Sequence, residues 1–313
     1  MINRVLLRTK VLQTLYSHYK GDGKSLPSAE KELFFSLEKT YDLYFYLLQL
    51  SLNITRYAAN RIDAGKNKMC PTEEELNPNT RFSDNRFITQ LSENEQFNDY
   101  LKKRKLSWNN YPELIKNLYE EIIVSDFYEE YMNTKVSDYS IDKDIWKKIY
   151  KRILLNSEEL DETIEEQSVF WVDDIEIVIS FILKTIKRFE VENGAEQELL
   201  PMFHDYEDRE FGLKLLKSSI ENGNEYLKLI DSHTSNWDLD RITFMDILIM
   251  QMAIAEICNF PTIPINVTLN EYIEISKKYS TEKSGIFVNG VLDNIVNQLK
   301  SENKLIKVVS FKK

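Results

Sequence analysis

Residues 242–258 read Ile242-Thr243-Phe244-Met245-Asp246-Ile247-Leu248-Ile249-Met250-Gln251-Met252-Ala253-Ile254-Ala255-Glu256-Ile257-Cys258, the most apolar run of the chain. Asp246, Gln251 and Glu256 interrupt it, and it falls short of the roughly 20 residues that a bilayer core requires. It is therefore read as a core helix, over about Asp240–Asn259. Downstream, Phe260-Pro261-Thr262-Ile263-Pro264 must be a rigid connector, because prolines so spaced break a helix. Helices are expected next at Thr268–Tyr279 and Ser284–Lys300, the second capped by Ser280-Thr281 and carrying Phe287, Val291, Ile295 and Leu299 on one face. Gly290 lies inside it at a cost of roughly 1 kcal/mol relative to alanine, so a close helix contact is expected there in compensation.

Upstream, Val172, Ile175, Ile179, Ile182, Ile186 and Phe189 alternate spacings of three and four and form one apolar stripe. Asn193-Gly194 stops it, and a domain boundary is placed near Pro201. A long helix starts after Pro27, with Ser28 as cap, and follows the ridge Leu33, Leu37, Tyr41, Tyr44, Leu48 and Leu52 to about Asp63. Further helices are expected at Phe87–Lys105, Pro112–Tyr131, Ile141–Asn156, Glu207–Asn222 and Glu225–Ser232. The first 20 residues read as an amphipathic helix with Val5, Leu12, Leu15, Tyr16 and Tyr19 apolar and Arg4 and Arg8 one turn apart, ended by Gly21-Asp22-Gly23.

Only eight Gly and seven Pro in 313 residues leave few tight turns, which favours long helices over a β-sandwich or a glycine-rich phosphate cradle. The fold class expected is all-α. The formal charge of -11 argues against a wholly nucleic-acid-binding surface, but both ends are basic: Met1 to Gly21 holds no acid, and the tail carries Lys304, Lys307, Lys312 and Lys313. Such ends are either a local anion site or solvating termini. Cys70 and Cys258 form neither a disulfide framework nor a zinc motif, no export signal leads the chain, and a cytoplasmic location is expected. His18, His204 and His233 are isolated, and no phosphate loop or nucleophile turn is present. The acids at Glu158-Glu159, Asp173-Asp174 and Asp205 with Glu207 and Asp208 read as helix caps or solvated faces. No catalytic constellation, cofactor or metal is expected.

Three ordered motifs in the last third are more specific. Trp237-Asp238-Leu239-Asp240-Arg241-Ile242 leads through Met245-Asp246 to Ala253-Ile254-Ala255-Glu256-Ile257. Ile263-Pro264-Ile265-Asn266-Val267 then precedes Asn270-Glu271 and Glu274, and Lys283-Ser284-Gly285-Ile286-Phe287-Val288-Asn289-Gly290-Val291-Leu292-Asp293 closes the series. Together they resemble the NusB transcription antitermination family. Arg4, Arg8, Leu12, Gln13, Leu15, Tyr16 and Ser17 are similar to its N-terminal pattern. As a whole the chain resembles the enlarged, Bacteroides-type variant of that family.

The resemblance implies a helical bundle of the NusB type with a large helical insertion between the first helix and the C-terminal bundle. Its parts would be a basic helix at 1–20, the insertion at 21–200, the bundle at 201–300 and a basic tail at 301–313. It implies an antitermination factor that binds single-stranded boxA-like RNA together with the ribosomal protein NusE and acts on the RNA polymerase elongation complex indirectly, notably in rRNA operons. RNA contacts would fall on Arg4, Arg8, Lys10 and Tyr16, and the partner surface on Tyr16, Asp246, Glu282, Lys283, Ser284 and Phe287. Two alternatives stay open: a helical protein-interaction scaffold without RNA binding, and an RNA-recognition module related to that of RNA cytosine methyltransferases. In the insertion, Lys102-Lys103-Arg104-Lys105 between Tyr100 and Trp108 reads either as a solvated charge run or as a second RNA contact.

Overall fold

The computed structural model describes residues 1–21, 25–234, 242–281, 283–305 and 307, and β pairing among them is confined to a bridge between Ile2 and Phe203. The helices are α1 (Arg4–Lys20), α2 (Leu26–Lys66), the single turn α3 (Glu73–Leu76), α4 (Arg86–Glu93), α5 (Glu95–Arg104), α6 (Pro112–Ile123), α7 (Asp126–Asn133) and α8 (Tyr139–Arg152). They continue with α9 (Glu158–Gln167), α10 (Ile175–Arg188), α11 (Tyr206–Glu221), α12 (Gly223–Thr234), α13 (Phe244–Asn259), α14 (Ile265–Tyr279) and α15 (Ser284–Ser301). Two compact units result: Glu38–Met202 with Met1, and Ile2–Leu37 with Phe203–Lys313. No helix of the described residues is long and apolar enough to cross a membrane. Of the sequence expectations, Trp237 to Arg241, Glu282, Lys312 and Lys313 and the centre of the Gly21-Asp22-Gly23 break lie outside the described residues.

The first unit is organised by α2. The expected ridge understates its burial: Leu43, Tyr44, Phe45, Tyr46, Leu47 and Leu48 are all buried, so the helix is enclosed on every side there rather than along one stripe. A helix so enclosed must satisfy its polar groups internally. Tyr44 Oη shares a 2.6 Å hydrogen bond with Thr185 Oγ1, and the buried Asp42 accepts from Arg104 Nε and Nη2, both at 2.6 Å, and from Tyr100 Oη at 2.8 Å. The Tyr46 ring stacks on Trp108 at 3.9 Å, and Phe45 stacks on Tyr100 at 3.8 Å. Helix α2 also begins at Leu26, ahead of Pro27 and Ser28, because proline in a first turn forfeits only an amide that has no intrahelical partner.

Two expected helices are broken in two. Asn94 ends α4 and caps α5 by accepting from Phe97 N, while its amide donates to Ala195 O and Gln197 O. After Val124 ends α6, Ser125 caps α7 by accepting from Tyr128 N, while its hydroxyl donates to Ile122 O at 2.6 Å. In each case a short polar side chain offers the backbone another partner inside an otherwise continuous apolar pattern.

In the second unit α13 is the core helix that its composition requires. Leu248 to Ile257 are buried without exception, and α1, α11, α12, α14 and α15 all pack on it. Thr243 and Asp246 close a capping box at its start. Glycine sets the close approaches elsewhere: a Cβ on Gly223 would lie 2.5 Å from Tyr19 Oη and 2.9 Å from Gln251 Nε2, and one on Gly212 would lie 3.0 Å from Leu7 Cδ2.

The close contact expected at Gly290 is corrected. Among the described residues nothing lies within 4 Å of a Cβ built there, so none of them packs against the glycine to offset its helix cost. Gly290→Ala is accordingly expected to raise stability by up to about 1 kcal/mol. A urea midpoint lowered by the substitution would contradict the open geometry.

Candidate functional site

Helix α1 buries Leu6, Leu7, Arg8, Lys10, Val11, Leu12, Thr14 and Leu15 and exposes Val5, Tyr16, Tyr19 and Lys20. The expected apolar set of Val5, Leu12, Leu15, Tyr16 and Tyr19 is therefore divided between two faces. Arg8 shares the buried face with Leu12 and Leu15, at i, i+4 and i+7.

This placement corrects two of the expected RNA contacts. Arg8 is 2% exposed, and its Nε and Nη2 donate to Glu256 at 2.8 and 2.7 Å while Nη1 reaches Glu271 at 3.2 Å. Glu256 also accepts from Thr268 Oγ1 at 2.9 Å and Tyr272 Oη at 3.1 Å. Burial by itself lowers the Arg8 pKa, but the hydrogen bond and charge of Glu256, with Glu271 and Tyr272 beyond it, outweigh burial and hold the pKa above its ordinary value. The guanidinium is thus an internal cross-link from α1 to α13 and α14, and no phosphate can reach it. Lys10 is 0% exposed and is likewise withdrawn from solvent.

The accessible positive charge on α1 is at its two ends. Arg4 lies 5.3 Å from the Phe211 ring centroid and 3.6 Å from Asp208, a loose and partly exposed pair of the kind worth roughly 0–1 kcal/mol. Sixteen residues on, Lys20 Nζ stands 4.5 Å from the centroid of Phe244. At the helical rise of about 1.5 Å per residue, Arg4 and Tyr16 are roughly 18 Å apart, so they form no single cluster.

Tyr16 belongs to a group of aromatics in which Tyr16 and Tyr19 are exposed and Phe244 is half-buried. It is 40% exposed with its ring 5.9 Å from Phe244, and Tyr19 meets the same ring edge-on at 6.4 Å. The Gln251 amide bonds Tyr19 Oη at 2.8 Å and Ser219 O at 2.6 Å, which fixes the Tyr19 ring. Tyr19, Lys20 and Phe244 escaped the sequence reading of the site. A signal was available, since Tyr19 and Lys20 follow Tyr16 at i+3 and i+4.

The expected partner residues gather at this same end, in unequal roles. Thr243 Oγ1 shares a 2.9 Å hydrogen bond with Ser280 Oγ, which in turn accepts from Ser284 Oγ at 3.0 Å, so hydroxyls tie the starts of α13 and α15 to the end of α14. Asp246 and Ser284 are corrected as surface contacts: Asp246 is 1% exposed and caps α13, and Ser284 is buried in the hydroxyl chain. Asp246 Oδ1 has no hydrogen-bond partner among the described residues. Lys283 is exposed and Phe287 half-buried, beside Ile286 at 78% exposure. No group of three or more His, Cys, Asp or Glu side chains among the described residues is arranged to hold a metal.

Comparison with known proteins adds a finding of another kind. The profile of the NusB family matches residues 182–297. Over 132 residues the chain is 36% identical to the transcription antitermination protein NusB of Salinibacter ruber, covering 40% of this chain and 82% of that one. Over 120 residues it is 39% identical to the protein of the same name from Desulforapulum autotrophicum, covering 36% of this chain and 84% of that one. No solved structure matches.

Proposed function

The chain belongs to the NusB family, and from that membership we propose that it is a transcription antitermination factor that binds single-stranded boxA-like RNA together with the ribosomal protein NusE. It acts as a factor rather than an enzyme, works in the cytoplasm, and reaches the RNA polymerase elongation complex indirectly, notably at rRNA operons. The observation that carries the RNA reading is the group of exposed Tyr16 and Tyr19 with half-buried Phe244, and Lys20 over the Phe244 ring. Unstacked bases bind aromatic faces of this kind, and a neighbouring cation neutralises phosphate. Arg4 supplies a second phosphate contact further along α1. The insertion expected at 21–200 is read as lying within Glu38–Met202, since residues up to Leu37 belong to the bundle's own unit.

The partner reading rests on the neighbouring end of α15. Phe287 and Gly290 lie one turn apart, and with no Cβ at Gly290 and no described residue within 4 Å of where one would stand, a partner's chain can approach the α15 backbone closely. Exposed Ile286 and Lys283 border that opening.

Titration of labelled boxA-like RNA at several salt concentrations, with and without NusE, tests both parts. Binding is expected to tighten with NusE. Arg4→Ala and Lys20→Ala should each flatten the salt slope by about 0.7, and Tyr16→Ala should weaken binding by roughly 1–3 kcal/mol. Absence of RNA binding at low salt, with NusE still captured, would favour the scaffold alternative.

A further inference from the structure

Asn53, Arg56, Tyr57 and Asn60 recur on α2 at i, i+3, i+4 and i+7, the spacing at which a helix ordinarily presents its packed side. In the first unit this face is polar and opens on a groove of about 290 Å³, whose other wall is formed by Trp108, Asn109, Pro112 and Ile115. That wall is held in place one to two turns earlier on α2: Tyr46 Oη donates to Ser107 O and Gln49 Nε2 to Leu106 O, both at 3.2 Å. The groove is therefore a fixed feature of the unit.

Its polar groups have unused bonding capacity. The arginines nearest in the fold are engaged, Arg61 with Glu120 and Arg104 with Asp42, whereas Arg56 is exposed and has no ion pair among the described residues. Asn53 donates to Gln49 O at 2.8 Å and keeps its carbonyl oxygen for an outside donor. The side-chain amides of Asn60 and Asn109 bond no described residue. Amide edges beside an apolar wall suit the hydrogen-bonding edge and the flat face of a nucleobase, and a free guanidinium suits its phosphate.

The adjoining basic run extends the positive charge. Tyr100 and Trp108 cannot stack on bases, since Tyr100 lies on Phe45 and Trp108 is buried against Tyr46, and Arg104 is bound to Asp42. Lys102, Lys103 and Lys105 are exposed and without ion pairs among the described residues, four to seven residues ahead of Asn109. We propose that this groove binds one nucleotide of a single-stranded RNA, with Arg56 and the three lysines on phosphate and Asn60 and Asn109 on the base. The assignment rests on the RNA reading above and gives the first unit its own part in it.

The test uses the full chain with a labelled single-stranded RNA that extends well beyond a boxA-like element, and, in a separate arm, uridine and adenosine monophosphates followed by amide exchange at residues 53–60 and 106–115. Arg56→Ala and Asn109→Ala, both at exposed positions, should each weaken the long RNA by about threefold to tenfold. Alanine at 102, 103 and 105 together should flatten the salt slope by about 2. Protection of the groove amides by a mononucleotide without RNA binding would identify a free nucleotide as the ligand, keeping the site while sinking the RNA reading. Unchanged long-RNA binding in all these variants, with Tyr16→Ala still weakening it, would overturn the groove and leave the RNA reading standing. Neither RNA binding nor groove protection would overturn both.

Discussion

Arg8→Ala is expected to destabilise the second unit by about 3–5 kcal/mol, because it leaves the Glu256 carboxylate buried without its cation. The side chains of Arg8 and Glu256 are 3% and 0% exposed, so water cannot replace the lost partner. The hydroxyls of Thr268 and Tyr272 would remain on Glu256, but two neutral donors do not compensate a buried charge. The penalty comes from orphaning one partner and not from the net worth of the pair. Replacing both residues by apolar side chains, as in Arg8→Met with Glu256→Leu, should therefore cost less than Arg8→Ala alone. Arg4→Ala, which removes the loose, partly exposed pair with Asp208 and the contact with the Phe211 ring, should change stability by only about 1 kcal/mol. Amide exchange in α13 and α14 reads the unit directly and avoids assuming that a two-unit chain unfolds in one step. Equal, small effects of Arg8→Ala and Arg4→Ala would contradict the buried cross-link.

Trp108→Ala should cost the first unit a similar amount, about 3–5 kcal/mol, for a different reason. The indole is fully buried, stacked on Tyr46 with the ring planes 5° apart, and its Nε1 donates to Tyr46 O at 2.8 Å. Removal opens a cavity beside α2, the helix on which the unit is organised, and frees one wall of the groove. Trp108→Phe keeps much of the stack but loses the hydrogen bond, and should cost roughly 1–3 kcal/mol. Trp146 and Trp171, buried in the same unit, report its unfolding by fluorescence. A loss below about 1 kcal/mol for Trp108→Ala would show that the segment after α5 is not anchored as described.

Much of α10 in the first unit and of α13 in the second could be read from residues alone. An apolar run with three polar interruptions became α13, the prolines at 261 and 264 became its connector, and the stripe of Ile175, Ile179, Ile182 and Ile186 became α10. Each of these is a local pattern whose period carries the answer. The breaks at Asn94 and Ser125 could not be read so easily, because a capping side chain interrupts the helix without disturbing the apolar spacing. Asn94 is further engaged by carbonyls about a hundred residues away, at Ala195 and Gln197, which no local window contains.

The candidate site was half readable. Tyr16, Lys283 and Phe287 lie at least partly at the surface, whereas Arg8, Lys10, Asp246 and Ser284 are interior. For Arg8 the clue was present in the spacing: it shares the face of Leu12 and Leu15, and Glu256 stands in the largely apolar core helix. A basic residue on a core face, with an unexplained acid in a core helix, predicts a buried pair before it predicts a phosphate contact. Lys20 and Phe244 could be joined only in three dimensions, because they come from different helices more than 200 residues apart.

Ultraviolet cross-linking of boxA-like single-stranded RNA to the chain in the presence of NusE, with the modified peptides mapped by mass spectrometry, tests the central claim most directly. Adducts are expected on the second half of α1, at Tyr16 and Tyr19, and at Phe244 on α13, with their yield reduced by Lys20→Ala. Cross-linked RNA that marks no peptide of residues 1–20 or 243–260 would contradict the account.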